Sequence, residues 1–249
     1  MKMCKWYSVI TLLVLLVSCM GQDEDKQTFG GQLGVIQEEP ELGVCLWEGD
    51  VIYSPALDTM ALKAGDCCLL NYTIDHASKE SLPGYSKYRA EILKYEPVSV
   101  FGLSPNLTDT TRILDNECFI SFSLQRSMYL KNRFFLFTEH GNYVDGQTTL
   151  FELTYNPKQE ATVDRNNNRV YNLYLRTATA EDMTGMTGSR YTLPIALDLE
   201  KFVKESGEIE KNAGLDSLKF KFNYPRSFNS DTTACIWTSS DMVVLPINE

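Results

Sequence analysis

Histidine is almost missing from this chain: His76 and His140 are the only two in 249 residues. Neither belongs to an HExxH or comparable cluster, which removes the commonest metal-hydrolase signature. No GxSxG elbow and no Walker loop occurs. Gly185-Met186-Thr187-Gly188-Ser189 is the nearest approach, and it lacks the following Lys-Thr/Ser that would hold a phosphate. No CxxC is present, and the seven cysteines lack the paired spacing of a zinc site. These absences predict no catalytic residue, no cofactor-binding residue and no metal ligand. Basic residues are also scarce, 23 Lys and Arg against 33 Asp and Glu, for a net charge of −10. A nucleic-acid partner, or broad adhesion to anionic lipid, would need clustered cations, so both are excluded. A soluble acidic surface is the plain reading of the imbalance.

What is present begins at the N-terminus. Lys2 and Lys5 precede the almost wholly apolar run Val9 to Val17, and small Ser18 precedes Cys19. The run is too short to span a bilayer as a stable helix and has the layout of a secretory signal peptide. Leu16-Val17-Ser18-Cys19 reads as a lipobox. Cleavage before Cys19 and attachment of a diacylglycerol to its thiol are expected. The membrane, reached through that anchor, is then the first partner, and an outer-membrane address follows. Loss of Lys2 and Lys5 with the signal lowers the charge from −10 to −12.

Cys4 leaves with the signal and Cys19 carries lipid, so Cys45, Cys67, Cys68, Cys118 and Cys235 remain. All five lie in predicted strands beside apolar residues and read as small buried hydrophobes. At most one disulfide and no catalytic thiolate are expected. Cys67 and Cys68 point to opposite faces of a strand, so one of them is expected to be the more reactive.

Residues 19–42 read as a polar tether, with the acidic patch Asp23-Glu24-Asp25, then Gly30, Gly31 and Gly34, then Glu38-Glu39-Pro40-Glu41. Gln22-Asp23-Glu24-Asp25 also resembles the acidic export signal that takes some lipoproteins to the cell surface. From Val44 the pattern alternates and is rich in strand formers. Strands are predicted over 44–53, 67–74, 88–100, 117–124, 129–138, 148–155, 170–177, 191–197, 218–224 and 234–245. Residues 102–116 are the best candidate linker, rich in turn formers. Asp198 to Lys204 has helical spacing, with Gly207 as its expected end. Strands at near-regular spacing with little helix point to an antiparallel sandwich or barrel.

Several stretches together resemble the NigD-like lipoproteins. They are Leu62-Lys63-Ala64-Gly65-Asp66-Cys67-Cys68-Leu69-Leu70-Asn71-Tyr72-Thr73-Ile74, Tyr129-Leu130, Val170-Tyr171-Asn172-Leu173-Tyr174-Leu175-Arg176 and Ile195-Ala196-Leu197-Asp198-Leu199. The resemblance implies an all-β chain: a small N-terminal OB-like barrel followed by a C-terminal antiparallel β-sandwich. The organisation becomes signal peptide 1–18, lipidated tether 19–42, OB-like domain 43–110 and sandwich domain 111–249. The chain departs from the family at Asp66-Cys67, where a basic residue is usual, so closure of the barrel stays open. The family supplies no catalytic residues to carry over.

Other candidate chemistry is thin. Asp164-Arg165-Asn166-Asn167-Asn168 starts like a calcium loop, but Arg169 stands where glycine is needed and Leu175 where a bidentate Glu belongs, so a β-turn is expected. His140 reads as a solvated loop residue at a strand end. Phe134, Phe135, Phe137, Tyr171, Tyr174, Trp47 and Trp237 read as packing residues. The expected function is a non-enzymatic binding or structural role in the cell envelope, with an envelope protein or glycan as partner. A surface glycan-binding or fimbria-associated component, and a carboxylate-dependent envelope hydrolase, are the alternatives.

Overall fold

The computed structural model describes residues 25–39, 41–82, 85–182 and 186–247. The expected signal segment 1–18, the expected lipidation site Cys19 and the patch residues Asp23 and Glu24 lie outside the described residues.

Six strands form the first sheet: β1 (Lys26–Gln37), β2 (Gly43–Cys45), β3 (Val51–Tyr53), β4 (Cys67–Asp75), β5 (Glu80–Leu82) and β6 (Tyr85–Val98). β1 pairs antiparallel with β2 and β4, β2 with β3, and β4 with β6. β3 then meets β6 in parallel, with Val51 opposite Lys87, Ile52 opposite Tyr88 and Tyr53 opposite Arg89. That last ladder closes a five-stranded barrel with the OB connectivity, which settles the closure that the sequence left open. Ile36, Val44, Ile52, Leu70, Tyr72 and Ile74 fill its interior.

The expectation of a tether as far as residue 42 is corrected here, because Lys26–Gln37 is the long first strand of the barrel. Its glycines serve the curvature. Gly31 has φ +63° at the register shift between Phe29 and Gln32, a bulge that bends the strand. A Cβ at Gly34 would lie 2.3 Å from Val44 Cγ1, so only glycine allows β1 and β2 to close up. The single strand expected over 44–53 is a hairpin instead, β2 and β3 around the 3₁₀ turn Trp47–Gly49. Pro97, which cannot donate to a ladder, falls where β6 has only β4 as a paired neighbour.

The second unit contains β7 (Val100–Ser104), β8 (Glu117–Cys118), β9 (Ile120–Phe122), β10 (Met128–Leu130), β11 (Arg133–Tyr143), β12 (Thr149–Thr154), β13 (Thr162–Val163), β14 (Arg169–Thr179), β15 (Ser189–Asp198), helix α1 (Glu200–Asn212), β16 (Ser217–Phe228), β17 (Cys235–Ser239) and β18 (Val243–Pro246). Its main strand order is β10-β11-β15-β7-β12-β14-β16-β17. β11 and β16 are far apart in that order, yet the Phe134 ring lies 5.5 Å from Phe222 and 5.9 Å from Phe220. The sheet therefore curls over until two layers share one core. Most ladders are antiparallel, as expected, but β7 runs parallel to both β15 and β12, and β14 parallel to β16. β7 crosses from one layer to the other, pairing with β15 through 100–102 and with β12 through 103–104. The change of unit thus falls near Ser99 rather than at 110, and the expected linker starts inside a strand.

The remainder of that linker is fastened down from below. Arg176 and Glu117 form a bidentate pair with both side chains out of water, Nη2 to Oε2 at 2.6 Å and Nε to Oε1 at 3.0 Å. Arg176 also donates to the carbonyls of Asp109 (2.9 Å) and Arg112 (2.8 Å), and the Leu114 N–H donates to Glu117 (3.0 Å). Trp237 lies over the guanidinium and donates its indole N–H to the Thr110 carbonyl at 3.1 Å.

Helix α1 runs past Gly207, its expected end, to Asn212, and the left-handed residue after it is Gly214 at φ +78°. Gly207 stays inside because Ile247 packs on it, 3.3 Å from where a Cβ would stand. Glu210 anchors the last part of the helix, accepting from Arg169 Nε (2.9 Å) and the Tyr171 hydroxyl (2.7 Å). The units meet where Leu33, Val35, Cys67 and Val98 of the barrel pack on Phe135 and Ala196. Arg133 adds polar contact there, donating to the Gly65 carbonyl (3.4 Å) and pairing with Asp198 (2.9 Å).

Candidate functional site

A concavity of about 730 Å³ opens on the barrel between the β1–β2 loop and the β4–β6 connection. In an OB barrel that position is where ligands commonly bind. Glu41 comes from the first loop, Tyr53, Ser54 and Asp58 from the end of β3 and the turn after it, Asp75 and Ala77 to Glu80 from the end of β4 and the connection to β6, and Lys87 and Arg89 from β6. The local chemistry follows from turn geometry. Asp75 Oδ1 accepts the Ala77 N–H at 2.9 Å and starts the 3₁₀ turn His76–Ser78. Ser78 Oγ donates to the Asp75 carbonyl (2.6 Å) and accepts the Arg89 N–H (2.9 Å), which ties the connection to β6.

The groove carries both signs of charge. Lys87 pairs with Glu41, comes within 3.9 Å of Glu80 and stands 4.2 Å above the Tyr53 ring. Its hydrogen bond to Glu41 holds its pKa above the ordinary lysine value. Lys79 lies 5.6 Å from the Tyr88 ring centroid. Arg89 and Asp58 make no ion pair among the described residues. Such a surface can hold a polar ligand by opposed charges. No residue of this groove was singled out as a site by the sequence, because its members come from four separated segments and none forms a motif.

A smaller concavity of about 410 Å³ brings Cys118 and His140 to one wall. The solvated-loop expectation for His140 is corrected: it sits within β11 at 3% exposure, and burial lowers its pKa. Thr138 gives its only hydroxyl proton to the Leu193 carbonyl at 3.0 Å, so its oxygen must accept from His140 Nε2 at 3.3 Å. Nε2 thus carries a proton in this contact, and burial disfavours a second one on the ring. Burial raises the Cys118 thiol, the direction opposite to that of an activated nucleophile.

All five described cysteines are free thiols with raised pKa values. Burial is the leading cause, pushing Cys67 and Cys68 to about 12 and Cys235 to about 11. The expected contrast between Cys67 and Cys68 does not appear: both are buried, at 2% and 0% exposure. Cys68 points into the barrel and Cys67 into the contact between the units, so β4 is covered on both faces. Asp164 accepts from the backbone of Asn166 and Asn168, both at 2.8 Å, and Asn167 has φ +61°, which is the turn read from the sequence.

Comparison with known proteins follows this division. Residues 25–87 match the family described as "Lipoprotein OB domain". An uncharacterized protein from Parabacteroides merdae ATCC 43184 has the same fold, with a TM-score of 0.71 at 21% identity, over 90% of this chain and 100% of that one. A candidate lipoprotein from Bacteroides fragilis NCTC 9343 gives 0.56 at 12% identity, over 89% and 99%. A NigD-like immunity protein from Bacteroides caccae ATCC 43185 is matched at 0.47 and 10% identity, over 85% and 91%. No curated protein matches the chain in sequence. Residues 25–87 thus match a lipoprotein OB domain, and the chain as a whole, barrel and curled β-sheet unit together, shares its fold with the solved proteins from Parabacteroides merdae and Bacteroides fragilis.

Proposed function

We propose that the protein is an outer-membrane lipoprotein, held by a diacylated Cys19 and displayed on the cell surface, that binds a component of the envelope rather than transforming it. The observation that carries the binding role is the mixed-charge groove at the ligand position of a closed OB barrel. A closed barrel holds its loops on a fixed frame, and such frames favour recognition by preorganised side chains. Three of the four carboxylates that flank the groove are engaged in its construction: Asp75 caps a turn, while Glu41 and Glu80 face Lys87. Lipobox, acidic patch and lipoprotein OB domain support the address.

Mass spectrometry of the purified mature N-terminus should find a diacylglycerol on Cys19, and a Cys19→Ser chain should leave the membrane fraction. An unmodified N-terminus elsewhere, or a Cys19→Ser chain that fractionates like the parent, would overturn the anchor. Protease treatment of intact cells should remove the protein if it is displayed outward, and full protection would place it on the inner leaflet.

A further inference from the structure

The barrel begins beside its own groove. Lys26 stands opposite Asp75 in the β1–β4 ladder, and the Asp25 carbonyl accepts the His76 N–H at 2.7 Å. Asp75, Ala77, Ser78, Lys79 and Glu80 form one wall of the groove. Only six residue steps separate Cys19 from Asp25. Fully extended, six steps reach about 20 Å. A tether ending at residue 42 would have let the folded part stand far from the lipid, but a barrel beginning at Lys26 cannot. With Cys19 anchored, the groove wall lies within that short reach of the headgroup layer.

The free charges of the groove say what could enter it there. Lys87 is committed to Glu41, Glu80 and the Tyr53 ring. Arg89, Asp58 and Lys79 are left without an ion pair among the described residues, Lys79 having only its longer contact with the Tyr88 ring at 5.6 Å. Arg89 is placed next to the turn that leads to Lys79 by its N–H bond to Ser78 Oγ. Its register opposite Tyr53 also sets it beside the exit of β3, which leads to Asp58. Two cations and a carboxylate around one opening match a ligand with a phosphate at one end and an ammonium at the other. A purely anionic headgroup meets Asp58 and the acidic balance of the chain without compensation.

We infer that the groove takes the phosphate–ammonium headgroup of a lipid in the membrane that carries the anchor. The phosphate lies between Arg89 and Lys79, and the ammonium donates to Asp58. This rests on the anchored binding protein proposed above.

The test is amide hydrogen exchange on the lipidated full chain in nanodiscs of phosphatidylethanolamine or of phosphatidylglycerol. Exchange at 75–80 and 87–89 should be roughly tenfold slower on phosphatidylethanolamine, the factor that about 1.4 kcal/mol of preference gives. Asp58→Asn and Arg89→Gln, both exposed, should each remove the difference without moving the melting temperature. Equal exchange on the two discs, or a difference that survives both substitutions, overturns the proposal. A second measurement separates it from the anchor: glycerophosphoethanolamine titrated into the Cys19→Ser chain should shift the amides of 75–80 and 87–89. No shift there up to roughly 10 mM, a weak-binding range, overturns the headgroup whether or not Cys19 is lipidated.

Discussion

In the barrel, Lys87 meets Glu41 at the rim of an open groove, whereas in the sheet unit Arg176 meets Glu117 with both side chains out of water. The interior of the barrel is apolar, filled by residues such as Ile36, Ile52 and Leu70. The sheet unit encloses a large apolar core as well, but it also buries charge, at Arg176–Glu117 and again at Glu210 beneath Arg169 and Tyr171. The difference follows from what each ion pair holds. A closed barrel completes its own backbone ladders and needs no internal charge. The curled sheet must fasten a long connection and a helix onto its outside, and charge-assisted bonds to carbonyls do that with fixed geometry. Among the described residues, every buried side-chain nitrogen and oxygen has a partner, so the buried charges are supported rather than stranded.

The sharpest way to break this comparison is Arg176→Leu. It leaves the Glu117 carboxylate buried without its partner, and about 3–5 kcal/mol of stability should be lost. Urea unfolding measures it, and limited proteolysis should show new cleavage between 105 and 116. A loss as small as that of a surface pair would mean that the connection is held by something other than Arg176. Next in size, Leu70→Ala in the barrel interior should cost about 2–5 kcal/mol through the cavity it leaves. Cleavage at 105–116 should stay unchanged, since the connection belongs to the other unit.

Acid should act first on the sheet unit. Burial lowers the His140 pKa, so its contribution is present above the ordinary value of 6.5 and is lost as pH falls through the folded value. For Glu210, burial pulls upward, but the hydrogen bonds from Arg169 and Tyr171 outweigh it and hold the carboxyl below its ordinary 4.5. Its contribution is therefore present above about pH 4.5 and disappears below it, as the folded carboxylate is protonated. Glu210→Gln should flatten that acid limb of a stability–pH curve, and an unchanged limb would remove Glu210 as its source.

Smaller still is Lys87→Ala at the groove rim, for which thermal melting should barely move, because screened pairs at such a rim contribute little. The smallest expected effect concerns rates of reaction rather than stability. Alkylation of the folded chain should be slow at Cys67 and Cys68 alike, since burial pushes both thiols to about 12. Fast labelling at Cys67 alone would mean that the two units part readily in solution.

The alternation over Cys67 to Ile74 and Val170 to Thr177 was enough to place β4 and β14, and the helix after Asp198 was legible in its first two turns. The turn at Asp164 to Asn168 was equally clear, because a carboxylate bonding its own downstream N–H groups is a local event. Lys26–Gln37 was not legible as a strand. Glycine and polar residues there describe a spacer when read locally, and only pairing with β2 and β4 turns them into a bulge and a close approach. The groove escaped for a related reason, since Glu41, Asp58, Lys79 and Arg89 lie tens of residues apart and meet only on the closed barrel.

By itself the sequence determined what depends on neighbours along the chain: the acidic balance, the β-rich alternation and the turns made by short polar side chains. Tertiary structure alone decided what depends on both faces of a strand and on distant partners. Cys67 and Cys68 alternate as β4 requires, yet both are buried, because the second unit covers the face that a lone barrel would give to water. Gly207 would end an isolated helix, yet α1 continues through it because Ile247 packs on the bare backbone. Arg176 reads as an outward residue of an alternating strand, yet it is enclosed, because Glu117 and the carbonyls of Asp109 and Arg112 arrive from about sixty residues upstream. Local pattern sets which way a side chain points, and only the assembled fold decides whether water or protein waits there.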